Sequence, residues 1–153
     1  MELRITPLSP EESYPYELLL LADPSRPMID DYLPRGWCHV ARLGDEIVGQ
    51  FVLIPTHPRT LEIVSLAVAE AHQGRGIGKA LVLAAIAEAG RRKAAAVEIG
   101  TGSTGWLQLM LYQKCGFRVV GVDPDFFVRH YEEPIYENGM RLRDMVRLRL
   151  ALE

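Results

Sequence analysis

Hydrophobic and polar positions along the chain follow two periods, and each period predicts one kind of element. Alternating or continuous apolar runs predict strands at 3–6, 37–43, 46–54, 61–68, 95–99, 117–122 and 141–150. Apolar positions at helical spacing predict helices at 9–22, 25–33, 80–89 and 104–114. The early strands favour antiparallel hairpins, and the later β-α-β units favour a parallel portion. We therefore expect an α/β (α+β) fold, with a mixed sheet of about seven strands and helices on both faces.

Capping and turn residues set the expected ends of these elements. Ser9 suits the N-cap of the first helix, and Asp23-Pro24 suits its end. Ser103 suits the N-cap of the last helix. Residues 55–59 are predicted to form a loop between two strands.

A glycine-rich segment, Gln73-Gly74-Arg75-Gly76-Ile77-Gly78-Lys79, separates the strand at 61–68 from the helix at 80–89. Glycine lets the main chain bend tightly and approach a ligand without a Cβ in the way. The first turn of a helix adds unpaired N–H groups and the positive end of the helix dipole. A strand, a glycine bend and a helix N-terminus in this order predict a site for phosphate or pyrophosphate.

Two common phosphate loops do not fit this spacing. A Walker A loop needs G-x-x-x-x-G-K followed by Ser or Thr, but Gly78-Lys79 is followed by Ala80, and Gln73 stands at the first glycine position. A dinucleotide-binding fingerprint needs G-x-G-x-x-G, but a lysine stands where the third glycine belongs after Gly74 and Gly76. The spacing therefore argues against a nucleotide-binding protein of either kind.

The glycine segment resembles the acyl-CoA pyrophosphate loop of the GNAT superfamily of N-acetyltransferases. That loop is written Q/R-x-x-G-x-G/A, and Gln73, Gly76 and Gly78 occupy its motif positions. Downstream, Leu111-Tyr112-Gln113-Lys114-Cys115-Gly116-Phe117 is similar to the family's L-Y-x-K-x-G-F segment. The two motifs stand in the family's order with one predicted strand between them, so the resemblance covers at least residues 61–120.

This resemblance implies a sheet whose fourth and fifth strands splay apart, with the pantetheine arm of acetyl-CoA in the V between them. The main chain of 66–68 would pair with pantetheine as an added strand does, and the Val68 N–H would face the thioester oxygen. From the residues alone, the same side chains are ordinary core. The implied cofactor-binding residues are Leu66, Ala67, Val68, Gln73, Gly74, Arg75, Gly76, Ile77, Gly78, Lys79 and Ser103.

Two side chains are candidates for the proton transfers that acetyl transfer requires. The resemblance places Tyr112 beside the cofactor sulfur, where its hydroxyl can protonate the departing thiolate; the residues alone also allow a packed core aromatic. Glu62 on the 61–68 strand is the candidate general base. Its strand parity with positions 64, 66 and 68 also allows a buried ion pair or an edge position, and deprotonation through water needs no single base.

Composition narrows the class of partner. The chain has 153 residues, the size of one domain, so we expect a single N-acetyltransferase domain over 1–153. Its two cysteines match neither a metal spacing nor a disulfide framework, so we expect no metal and a reducing cytoplasm. No apolar run approaches the ~20 residues that span a membrane. The net charge of −3 argues against a nucleic-acid partner, and family analogy allows a homodimer.

We therefore expect an enzyme, an acetyl-CoA-dependent N-acetyltransferase (an acyltransferase). It would move an acetyl group to a primary amine of a small molecule, peptide or protein by direct attack in a ternary complex. Residues 28–37 and 124–137 are expected to shape the acceptor pocket. The alternative is a non-catalytic CoA-binding or interaction module with the same fold.

Overall fold

Alternating apolar positions produce one seven-stranded sheet in the computed structural model, which describes residues 1–153. The strands are β1 (Leu3–Pro7), β2 (Trp37–Leu43), β3 (Glu46–His57), β4 (Thr60–Val68), β5 (Ala96–Gly102), β6 (Arg118–Asp123), β7 (Tyr136–Glu137), β8 (Met140–Arg141) and β9 (Met145–Ala151). The main sheet has the order β1-β2-β3-β4-β5-β9-β6, and β7 and β8 form a separate hairpin. Only β4 and β5 are parallel neighbours, so the sheet is mixed as predicted.

Helices cover both faces of the sheet, as predicted. They are α1 (Tyr16–Ala22), α2 (Arg26–Tyr32), α3 (Ile77–Arg91), α4 (Trp106–Lys114) and α5 (Phe126–Arg129). Consecutive residues of a strand point to opposite faces of the sheet. In β3, Phe51 therefore packs in the cluster under α3, and Val52 packs in the cluster under α1 and α2. Both side chains are fully buried. Each such burial stabilises the fold by roughly 1.5–3 kcal/mol relative to an exposed side chain.

The centre of the sheet is splayed. β4 and β5 pair in register from Thr60 with Ala96 to Ile63 with Ile99, and no pair follows. Beyond that point β4 continues to Val68 and β5 to Gly102 without bonding to each other. The two strands therefore open a V-shaped gap towards their C-terminal ends, which confirms the splayed sheet that the family resemblance implied.

A bulge in β4 changes which side chains share a face. Val52 pairs with Ser65, but Leu53 pairs with Ile63, so Val64 is an extra residue in β4. Glu62 and Val64 consequently lie on the α1–α2 face. Positions 66 and 68 pack on the α3 face instead. The expectation that positions 62, 64, 66 and 68 share one face is wrong, because alternation restarts after a bulge.

Prolines account for the main differences from the predicted elements. The helix expected from Ser9 begins only at Tyr16, because Pro15 lacks an N–H and disfavours a helical residue before it. Ser9 therefore caps no helix, and its main-chain N–H donates to Glu12 Oε1 over 3.1 Å. Residues 55–57, expected in a loop, extend β3, and a second irregularity in the β3–β4 ladder lies between Pro55 and His57.

Candidate active site

The glycine bend forms the N-terminus of α3. Gly74 and Gly76 have φ angles of +78° and +81°, which L side chains rarely adopt, and open space surrounds both. Gly76 is the N-cap of α3, and its carbonyl accepts the N–H of Ala80. The N–H groups of the first helical turn therefore have no partner in the helix. The Ile77 side chain is buried in the core, so only its main chain is available to a ligand.

Charge at this bend is positive. Arg75 and Lys79 are exposed, and neither makes an ion pair within the protein. Two cations beside unpaired helical N–H groups favour an anion there. Gln73 connects the bend to the end of β4, because its side-chain Nε2 donates to the Val68 carbonyl over 2.9 Å.

The edge of β4 that faces the gap has free main-chain groups. The Ala69 N–H donates to the Val48 carbonyl of β3 over 2.8 Å. Successive N–H groups of a strand point to opposite sides, so those of Leu66 and Val68 point away from β3 and into the gap. The bond from Gln73 to the Val68 carbonyl confirms that direction for Val68. Since β5 has diverged by this point, these N–H groups are available to an extended ligand.

A cleft of about 740 Å³ fills the gap. The diverging ends of β4 and β5, the glycine bend, one side of α4 and the end of α1 form its walls. Residues on these walls are Ser65, Leu66, Ala67, Val68, Gln73, Gly74, Ile77, Gly78, Thr101, Gln108, Tyr112 and Asp23. The structure thus brings most of the predicted cofactor-binding residues together around one cavity. Arg75, Gly76 and Lys79 belong to the same bend but do not line this cavity.

Tyr112 is positioned by α4 with its ring in the core and its hydroxyl without a protein partner. The ring packs edge-on against Phe117, with 6.4 Å between the ring centres. The residue lines the cleft, and no hydrogen bond within the protein involves its hydroxyl. Burial, with a smaller contribution from Cys115, raises the pKa of Tyr112 to about 12. At neutral pH the hydroxyl is therefore protonated and can donate.

Ser103 does not cap α4. The N-cap is Gly105, and the Gly105 N–H donates to the Gly102 carbonyl, so Ser103 lies within the turn that precedes the helix. The Ser103 side chain is exposed, and its N–H donates to the Asp144 carbonyl. The predicted cap was wrong because the turn from β5 uses two more residues than expected. Ser103 is not among the residues that line the cleft, and its cofactor role stays a prediction.

Glu62 lies where β4 and β5 are still paired, outside the cleft lining. Its Oε2 is 3.4 Å from Arg147 Nη1, and Glu98 stands opposite it on β5. Burial raises the pKa of the Glu62 carboxyl above its usual range, while the charge of Arg147 opposes that shift. The ion pair matches one alternative left open for this residue. A carboxylate with a raised pKa remains a suitable proton acceptor near neutral pH.

A polar pair at the α1 end of the cleft was not predicted from the sequence. The Tyr131 hydroxyl donates to Asp23 Oδ1 over 3.0 Å, although the two residues lie 108 positions apart. Nearby, Gln50 Nε2 donates to Ser65 Oγ over 2.8 Å in a buried pair. From its sequence position, Asp23 is predicted only to end a helix. No local pattern indicates either pair, because each joins distant segments.

Comparison with known proteins identifies the class to which this site belongs. The sequence model of the Acetyltransferase (GNAT) family matches residues 4–117. The chain belongs to this family of acetyltransferases.

Relatives with known names agree with the family. The chain is 56% identical to the "Uncharacterized N-acetyltransferase YvbK" of Bacillus subtilis, over 90% of this chain and 88% of that protein. It resembles a GNAT family acetyltransferase from Elizabethkingia anophelis with acetyl-CoA bound, at 43% identity and a TM-score of 0.96 over 98% of both chains. It also resembles an "IAA acetyltransferase" from Bacillus cereus, at 47% identity and a TM-score of 0.95, over 99% of this chain and 100% of the other.

None of the helices combines the length and apolar character that crossing a membrane requires. No group of three or more His, Cys, Asp or Glu side chains is arranged to hold a metal ion.

Proposed function

We propose that this acetyltransferase moves the acetyl group of acetyl-CoA to a primary amine by direct attack in a ternary complex. The observation that carries the proposal is one cleft that brings together the free edge of β4, the glycine bend and Tyr112, whose hydroxyl has no protein partner. The glycine bend suits a diphosphate, the free edge of β4 suits an extended amide-bearing arm, and the Tyr112 hydroxyl suits the role of a proton donor.

The main chain does most of the cofactor binding in this proposal. N–H groups from Gly74 to Lys79 bind the pyrophosphate, and Arg75 and Lys79 add charge. The main chain of 66–68 pairs with the pantetheine arm. The acetyl-CoA complex of the Elizabethkingia anophelis relative supports this choice of co-substrate.

Three groups of the protein take part in the transfer reaction. A main-chain N–H at the free edge of β4, that of Val68 or that of Leu66 two residues earlier, donates to the thioester oxygen as negative charge develops there. Tyr112 donates its proton to the departing thiolate. Glu62 accepts the amine proton through intervening water, since its carboxylate lies outside the cleft lining.

Cys115 takes no part as a nucleophile in this proposal. Burial raises the pKa of its thiol, and a protonated thiol is a poor nucleophile. The amine therefore attacks the thioester directly, without an acyl-cysteine intermediate.

We also infer that residues 1–153 form one domain, because the main sheet takes strands from both ends of the chain. The acceptor enters between the end of α1 and the segment 127–135, both of which line the cleft. Segment 127–135 falls within the predicted range 124–137, whereas the end of α1 precedes the predicted range 28–37. A homodimer and a cytoplasmic location stay predictions.

Release of CoA thiol tests the proposal. Purified protein is incubated with acetyl-CoA and a panel of primary amines that includes phenethylamine. We expect free thiol and acetylated amine in equal amounts for at least one acceptor. Tight binding of acetyl-CoA without turnover on any amine would contradict the proposal.

A further inference from the structure

The acceptor side of the cleft contains a carboxylate that no protein cation neutralises. Asp23 lines the cleft at the end of α1 and forms no salt bridge. Its Oδ1 accepts two hydrogen bonds, from the Ser25 N–H and from the Tyr131 hydroxyl, each over 3.0 Å. Its Oδ2 accepts none within the protein. One oxygen is thus fixed in place while the other is left for a ligand.

The position of Asp23 is unfavourable for a carboxylate in the empty protein. The C-terminal end of a helix carries partial negative charge, so a second negative group there is repelled. Burial raises the pKa of the Asp23 carboxyl, and only the two hydrogen bonds at Oδ1 oppose that shift. A cation bound at Oδ2 would relieve both costs.

Like Asp23, the whole cleft carries negative charge. Two carboxylates, those of Asp23 and Glu137, line it, and neither Lys nor Arg does. The pantetheine arm is uncharged, and the diphosphate of CoA belongs at the glycine bend, where Arg75 and Lys79 are exposed. The cofactor therefore gives no reason for negative charge here, whereas a protonated amine does.

Apolar side chains surround the carboxylate. Phe127 and Tyr131 lie 5.5 Å apart between ring centres, and Leu21 and Ile135 line the cleft with them. Such walls bind an apolar or aromatic body by excluding water. A single carboxylate between them fixes the orientation of a ligand that has one charged end.

We propose that Asp23 is the specificity-determining residue for the acceptor, and that its Oδ2 binds the ammonium group of a cationic primary amine with an apolar or aromatic body. This inference rests on the acetyltransferase function proposed above and names its substrate class. Asp23 binds and orients the amine as it enters; the removal of the proton remains with Glu62. Tyr131 acts through Asp23 as a positioning residue, because its hydroxyl fixes Oδ1.

A matched pair of acceptors tests the charge requirement. Phenethylamine is cationic at neutral pH, and O-benzylhydroxylamine has nearly the same shape but a neutral amino group. Asp23→Asn keeps the size of the side chain and an oxygen for Tyr131 and Ser25. We expect Asp23→Asn to raise KM for phenethylamine about ten- to hundredfold, the value of one charge-assisted hydrogen bond, while KM for O-benzylhydroxylamine stays nearly unchanged.

Two further variants separate a specific role from a structural one. Glu17→Gln removes one exposed negative charge from the other end of α1 and should change neither KM. Tyr131→Phe should raise KM for phenethylamine less than Asp23→Asn does, with kcat nearly unchanged.

The outcomes distinguish this inference from the proposed function. If Asp23→Asn affects both acceptors equally, or neither, or if the wild type acetylates other amines of the panel but not phenethylamine, the assignment of Asp23 is wrong although the enzyme remains an N-acetyltransferase. If the wild type releases no thiol with any amine of the panel, the proposed function itself fails.

Discussion

The parts of the cleft that we propose for the cofactor and for the acceptor are built from different chemical groups. At the proposed cofactor end, free main-chain N–H groups belong to the start of α3 and to the edge of β4, and they come from one continuous stretch of chain. At the acceptor end, side chains face the cavity, and they come from segments as distant as Asp23 and Tyr131. A ligand common to many relatives can be bound by backbone geometry, whereas a particular acceptor requires particular side chains.

The largest effect on turnover is expected from the one side chain that we place at the cofactor sulfur, Tyr112. Tyr112→Phe keeps the packed ring, and the lost hydroxyl had no protein partner, so folding should be unaffected. Loss of a general acid should lower kcat about a hundredfold or more. The affinity for CoA, measured by calorimetry, should not change. An unaltered turnover rate would remove Tyr112 from the mechanism.

The substitution Glu62→Gln tests whether Glu62 is the general base. Its effect on kcat/KM should be largest near neutral pH. Burial raises the pKa of Glu62, so in the wild type kcat/KM should fall as the pH drops through that raised value and the carboxylate becomes protonated. The variant should be about a hundredfold slower where the wild-type carboxylate is ionised, and the difference should shrink at acid pH. Equal pH profiles for the two proteins would show that Glu62 is not the base.

The glycine bend can be tested with a control in the same helix. Gly76→Ala forces a Cβ onto a residue at φ +81°, which costs about 1–2 kcal/mol and should weaken CoA binding about tenfold. Gly90→Ala, in the last turn of α3 with open space around it, should leave the CoA affinity intact and stabilise the helix by about 0.5–1 kcal/mol. Calorimetric titration and thermal unfolding measure both quantities. Equal CoA affinities for the two variants would exclude the bend as the diphosphate site.

The smallest effect is expected from a change to Arg147, the partner of Glu62 in an ion pair. Arg147 lowers the pKa of Glu62 against the effect of burial, through an ion pair of 3.4 Å. Arg147→Met removes that charge, so the acid limb of the kcat/KM profile should move to higher pH while the rate on the plateau stays nearly constant. A limb that moves to lower pH, or not at all, would show that this pair does not control the titration seen in turnover.

The difference between the two ends also explains how much the sequence could predict. The glycine bend at the start of α3 and the Tyr112 motif in α4 are each set by residues close together in the chain, so their positions in the fold could be predicted. The splay of β4 and β5 was implied by the family resemblance alone. Ser103 was misplaced because the length of a turn decides which residue caps α4. The true face of Glu62 depends on a bulge at Val64, which no alternation pattern shows.

The residues that we propose for acceptor binding could not be predicted from the sequence, for a related reason. The bond between Tyr131 and Asp23 exists only after the end of α1 and the segment beyond α5 meet across the cleft. Such a pair has no spacing rule, because 108 residues separate its members and any polar residue at either position would satisfy the local pattern.

Amide resonances observed during titration with acetyl-CoA show directly whether the main chain of β4 and of the glycine bend binds the cofactor. We expect the N–H signals of Leu66, Val68 and residues 74–79 to shift together and to saturate at one concentration, because these groups bind one molecule of cofactor. Saturable shifts confined to other parts of the chain, or no shifts at concentrations that saturate the Elizabethkingia anophelis relative, would contradict this expectation.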